Sequence, residues 1–168
     1  MDTESTSSGV VMDAKFIVNA LRSHHSGAAL VHEVVIADHL WDERTAESAP
    51  TWRIDVLMFN GLQRTAIEVK VTLEDWRRDT HQNRAPWAAV TNRFVYAVPA
   101  ELYEKVANRI PEYRLDVGGC GIWTVDDAGR VKVARKAEIR SHPEPLPQHV
   151  VQALAYRAAK NTTDWGSE

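Results

Sequence analysis

Three ionisable residues stand in two stretches that otherwise read as interior strands. Asp55 lies in "WRIDVLMF", and Glu68 and Lys70 lie in "RTAIEVKV". Glu68 and Lys70 are two apart, so on a strand their side chains share a face. Among Ile67, Val69 and Val71, a carboxylate and an ammonium are costly to bury unless each finds a partner, a metal or water. Asp55 is likewise flanked by Ile54, Val56 and Leu57. Asn60-Gly61, a strong short hairpin signal, lies between the two stretches, so strands near 52–59 and 64–71 are expected to pair antiparallel. That pairing would bring Asp55 and Glu68 together.

Two carboxylates and the Val69 backbone carbonyl are hard oxygen donors, suited to Mg²⁺ or Mn²⁺ rather than zinc. A cation held there could activate water and stabilise charge growing on a phosphate. Lys70 could orient the attacking water or pair with the phosphate. Phosphodiester hydrolysis uses all of these parts. Taken alone, Glu-x-Lys also fits the exposed stripe of a half-buried strand. Asp55 across the turn and Glu33, another acid among aliphatics in "LVHEVVI", favour a built site.

The elements that must position these residues can be read from the pattern. Phe16, Ile17, Ala20 and Leu21 recur at helical spacing within 12–24, and "HSG" ends that helix. "AALVHEVVIADHL" reads as the first strand, "WDERTAESAPT" as a loop, and the hairpin follows. Thr72 is the expected N-cap of the next helix, with Asp75 at the capping-box position, and Pro86 is expected to interrupt that helix. "NRFVYAVP" reads as a buried strand, "AELYEKVANRI" as a helix, "CGIWTVDDAGRVKVARKA" as a second hairpin and "LPQHVVQALAYRAAK" as a final helix. The expected fold is α/β, a mixed central sheet flanked by helices, with a C-terminal hairpin and helix. A single domain over 12–160 is expected between tails at 1–11 and 161–168.

Composition narrows the class. The 168 residues are 44% hydrophobic and 26% charged, with no apolar run of membrane-spanning length, so no membrane partner is expected. The start "MDTESTSSG" lacks the features of a secretory signal, and Cys120 is the single cysteine, so a reducing, cytoplasmic setting is expected. Net charge is −3, and any grip on nucleic acid must come from a local patch. "DWRRDTHQNRAPW" supplies one, with Arg77, Arg78, His81, Gln82 and Arg84 following the candidate site and Arg53 beside it. Trp76 is expected to dock its helix on the sheet; Trp87 fits either packing or base stacking.

The order of an acid, a turn and Glu-x-Lys resembles the PD-(D/E)xK nuclease superfamily, with "RID" at 53–55 and "EVK" at 68–70, Ile54 replacing the proline of the family name. Within it, Glu33, "RIDVL", "EVK", "EDWRRD" and "RFVYAVP" resemble, in order, the MmcB-like DNA-repair proteins of bacteria and phages, over roughly residues 12–137. The resemblance implies an αβββαβ core and Mg²⁺-dependent endonuclease action on DNA in repair, recombination or phage DNA metabolism. Carried over by position, Asp55 and Glu68 are metal ligands and Lys70 the catalytic lysine. Glu33 is a better candidate for an additional acid than Asp13 of the first helix. The resemblance also leaves room for a homodimer, for RNA as substrate, and for an inactive DNA-binding or regulatory module on the same fold.

Overall fold

The computed structural model describes residues 12–37, 50–79, 81–107 and 119–161. Asp13 caps the first helix, its Oδ1 accepting the Phe16 N–H at 2.8 Å, and α1 runs Ala14–His24. Then come β1 (Ala29–Ala37), β2 (Thr51–Asn60), β3 (Gln63–Val69), α2 (Leu73–Arg78), α3 (His81–Val90), β4 (Arg93–Pro99), α4 (Ala100–Ala107), β5 (Gly121–Val125), β6 (Val131–Arg135) and α5 (Gln148–Asn161). The six strands form one sheet in sequence order. β1, β2 and β3 pair antiparallel, β3–β4 and β4–β5 parallel, and β5–β6 antiparallel. This is the mixed α/β sheet with flanking helices that the sequence pattern implied. Among the described residues, no helix is long and apolar enough to cross a membrane.

Both faces of the sheet are covered, which is why β4 is buried from Phe94 to Pro99 and reads as a continuous apolar run rather than an alternation. α1 lays Ile17 and Leu21 against Val56, Ile67, Val95 and Val125. On the other face, Trp76 and Trp87 from the α2–α3 segment pack with Leu57, Ala66, Phe94 and Tyr96. Trp87 is fully buried, and its Nε1 donates to the Trp52 carbonyl at 3.0 Å. Neither tryptophan is available to stack on a base.

Two local expectations are corrected. The first hairpin closes on the Asn60↔Gln63 pair, so its loop is Gly61-Leu62, one residue later than Asn60-Gly61. Gly61 takes φ +56, the conformation a two-residue turn asks of its first residue, and glycine adopts it without a Cβ penalty. The helix after Thr72 breaks at Asp79, not at Pro86, which sits inside α3. Asp79 adopts extended backbone (φ −72, ψ 136) while its side chain is held by Tyr96 of the sheet, so a tertiary contact sets the break.

The sheet also carries a local irregularity. The β1–β2 ladder holds His32↔Val56 and Val34↔Ile54 but omits the intervening Glu33 and Asp55. Glu33 has φ +49, which costs a non-glycine residue about 1–2 kcal/mol. On either side of this point the strands exchange faces. Val56 faces α1 whereas Ile54 packs with the α3 cluster, and Leu30 packs on the α1 side whereas Val34 and Ile36 pack on the other. The chain is thus re-aimed at the position of Asp55, as irregular strand positions beside functional sites commonly do.

Candidate functional site: a carboxylate-lysine cleft

The site forms where β2 leaves β3. Their ladder runs from Asn60↔Gln63 to Val56↔Ile67 and stops. Extended two steps, that register would set Ile54 against Val69. Instead the Asp55 side chain takes the vacated place, its Oδ2 accepting the Val69 N–H at 2.8 Å. One further step of the same register would set Asp55 across from Glu68, whose ionisation senses the Asp55 charge, and Glu68 itself pairs with Tyr96 of β4. In an antiparallel ladder a residue's N–H and C=O project to the same neighbour, so the Val69 carbonyl also belongs on the β2 side.

Lys70 lies just past β3, its backbone N–H still bonded to the Ala97 carbonyl at 3.0 Å. Its Nζ donates to Glu68 Oε1 at 2.8 Å, and the two side chains are only 12% and 20% exposed. This answers the cost of burying both: they neutralise one another on one face. The neutralisation is incomplete. The Glu68 carboxyl is pushed up to about 6, first by burial and then by the Asp55 charge, with Lys70 pulling the other way and Asp79 adding a smaller push.

Together these residues line a cleft of about 480 Å³. Asp55, Glu68, Val69 and Lys70 come from the sheet, Arg53 from the adjoining part of β2, and Asp75, Arg78, Asp79 and Arg84 from the α2–α3 segment. Thr72 caps α2 as its sequence implied, Oγ1 accepting the Asp75 N–H at 3.1 Å. Arg84 donates to Cys120 Sγ at 3.7 Å. Burial pushes the Cys120 thiol up, with Arg84 opposing, so Cys120 is a buried small residue rather than a nucleophile.

The chemistry of the donors fits a hard divalent cation. Asp55 uses one oxygen on Val69 and Glu68 one on Lys70, and each carboxylate keeps a second oxygen. Two carboxylates and a carbonyl are what an ion that retains several waters needs. Among the described residues, no three His, Cys, Asp or Glu side chains converge as one metal-ligating group.

The remaining candidates are distributed unevenly. Glu33 is 71% exposed and engages Arg53 at 3.7 Å, outside the cleft lining. Its carbonyl is held by Arg157 of α5 at 3.0 Å. Arg53, Arg78 and Arg84 line the cleft, whereas Arg77 is exposed outside it. Arg78 is paired with Glu74, one turn earlier. The side chains of His81 and Gln82, and the acidic stretch near 41–47, lie outside the described residues.

Two cleft-side residues carry no role in the sequence reading: Asp79 and Tyr96. The Tyr96 hydroxyl donates to Asp79 Oδ2. Burial and then the Asp79 charge hold that hydroxyl well above its ordinary range. The available signal was a tyrosine inside a fully buried strand, whose hydroxyl must find an acceptor.

No known family model matches the chain, and no curated protein matches it. Among solved structures, the chain is similar to SPO1766, a protein of unknown function from Silicibacter pomeroyi, at 21% identity and a TM-score of 0.53, covering 90% of each chain. A likeness at that identity speaks to the fold alone.

Proposed function

We propose that this chain is a PD-(D/E)xK-type nuclease, a Mg²⁺-dependent endonuclease hydrolysing phosphodiester bonds of DNA. The observation that carries the reading is the convergence of Asp55, Glu68 and Lys70 in one cleft, where two sheet strands part. Asp55, Glu68 and the Val69 carbonyl would hold the cation, which supplies a polarised water and charge stabilisation at the phosphate. Glu33, engaged with Arg53, has no ligand role in this reading.

The chain's own residues do the rest. Lys70 donates one of its three protons to Glu68, leaving two for a phosphate oxygen or the attacking water. Its ammonium is fixed by that bond, so the charge needs little reorganisation when the phosphate gains negative charge. Arg53, Arg78 and Arg84 give the cleft cations for the flanking phosphates, and those contacts position a backbone without reading its sequence.

The test is a cleavage assay on duplex, nicked and single-stranded DNA with Mg²⁺ or Mn²⁺, beside calorimetric titration of Mn²⁺. Wild type is expected to cut, and both Asp55→Ala and Lys70→Ala to abolish cutting. Asp55→Ala should also lose Mn²⁺ binding. DNA binding without metal uptake or cleavage on any substrate would instead identify a binding module on the same fold.

A further inference from the structure

We propose that Asp79 is the proton acceptor of this cleft and that Tyr96 is the positioning residue that aims it. The inference rests on the hydrolytic reading above and goes beyond it, because neither the lysine nor the two ligand carboxylates are placed to take a proton.

Lys70 donates to Glu68 at 2.8 Å as an ammonium, and an ammonium has no lone pair to accept with. Asp55 holds the Val69 N–H on one oxygen and Glu68 holds Lys70 on one oxygen, and in the hydrolytic reading the oxygen left to each is assigned to the cation. Two further carboxylates line the cleft, Asp75 and Asp79. They differ in how they are held. Asp75 sits in the first turn of α2, where its backbone N–H is taken by the Thr72 cap. Asp79 lies at the end of α2, and its Oδ2 is bonded by the hydroxyl of Tyr96, a residue only 1% exposed. Tyr96 is the direct partner of Glu68 across β3–β4, so this bond ties Asp79 to the strand pair that carries Glu68. Glu68 also senses the charge of Asp79.

A tyrosine hydroxyl has one proton to give. Donated to Oδ2, it locks the carboxylate and leaves Oδ1 as the accepting atom. The helix break at Asp79 serves the same geometry, because continued helix would carry this side chain round with the helix instead of holding it on Tyr96. In the step itself, one O–H bond of the attacking water breaks and its proton passes to Asp79 Oδ1. The water oxygen forms the new bond to phosphorus. The bridging P–O bond breaks with its electron pair on the departing sugar oxygen, which takes a proton from solvent, and Asp79 returns its own proton to solvent afterwards.

The experiment uses the full chain with Asp79→Asn, Asp79→Glu and Tyr96→Phe, read by single-turnover DNA cleavage in Mn²⁺ and by calorimetric Mn²⁺ affinity. Asp79→Asn is expected to lower the single-turnover rate by about 10²–10⁴-fold, the usual worth of a positioned acid or base. Its Mn²⁺ Kd should stay within about threefold of wild type, since Asp55, Glu68 and the Val69 carbonyl are untouched. Tyr96→Phe should lower the rate by roughly tenfold, a hydrogen bond to a charged group, again with metal affinity retained. Asp79→Glu should recover part of the rate. Cleavage by Asp79→Asn at the wild-type rate overturns the inference alone, and loss of Mn²⁺ binding in that variant reassigns Asp79 as a ligand and overturns it too. An inert wild type overturns the nuclease reading with it. Should Asp79→Asn not fold, Tyr96→Phe and Asp79→Glu decide, and unchanged rates in both refute the assignment.

Discussion

Glu68 stabilises the folded chain less when ionised than when protonated, and Glu68→Gln should expose this as a pH-dependent gain in stability. Its folded-state carboxyl titrates at about 6 against an ordinary 4.5. The folded chain therefore binds this proton more tightly than the unfolded chain does. The stabilisation is complete below about pH 4.5, is lost as pH rises to about 6, and stays lost above that. At about 1.4 kcal/mol per pKa unit, the difference corresponds to about 2 kcal/mol at pH 8. The Lys70 attraction is already contained in that net value, because it opposes burial and Asp55 in setting it. Glutamine mimics the protonated acid and still accepts from Lys70. In EDTA, Glu68→Gln should thus be more stable than wild type by about 1–2 kcal/mol at pH 8, or roughly 2–8 °C in Tm for a domain of this size, and equal to it near pH 4. Circular-dichroism melts from pH 4 to 9 measure both limbs. A variant no more stable than wild type at pH 8, or a gain that does not vary with pH, refutes the reasoning. Mn²⁺ supplies the converse arm: it should raise the Tm of wild type and leave that of Glu68→Gln nearly unmoved.

Glu33→Gly relieves the positive φ, worth about 1–2 kcal/mol, against about 0.5–1 kcal/mol of added chain entropy, and its exposed pair with Arg53 contributes little. Denaturant unfolding should find it as stable as wild type or up to about 1 kcal/mol more so, and its cleavage rate should be unchanged; a large loss of stability would falsify the strain argument. Trp87→Phe removes a fully buried indole N–H from the Trp52 carbonyl and leaves space beside it. A loss of about 1–3 kcal/mol in denaturant unfolding is expected, and a neutral effect would show that the bond does not anchor α3 on β2.

What was legible in the sequence was local. A hairpin is a short-range event, so the apolar runs around Asn60-Gly61 placed β2 and β3 to within a residue or two and put Asp55 near Glu68. Thr72 announced one helix start through its side-chain oxygen, and it caps as its type implies. The misses depend on contacts between distant segments. Pro86 is the strongest helix breaker in 72–90 by propensity, yet the break lies at Asp79, because a hydroxyl 17 positions away in β4 holds that side chain. Glu33 has the residue type of a ligand, but its positive φ and its contact with Arg53 leave no mark in "LVHEVVI".

The parting of β2 from β3 bears on the chemistry. A regular strand would have kept β2 on β3 through Ile54 and Val69, closing the place the cleft now occupies. Opening it removes a backbone acceptor from Val69, and an unpaired N–H there would be costly. Asp55 supplies that acceptor, so the residue proposed to hold the cation also repairs the ladder whose interruption creates the site. Asn at this position would preserve the repair while removing the charge, whereas Ala removes both. The fold and the proposed function thus place different demands on one side chain, and Asp55→Asn separates them. It should retain the wild-type melting temperature within a few degrees in EDTA while losing Mn²⁺ binding, and a fall in stability as large as that of Asp55→Ala would show that the carboxylate charge, not the hydrogen bond to Val69, holds the strands in place.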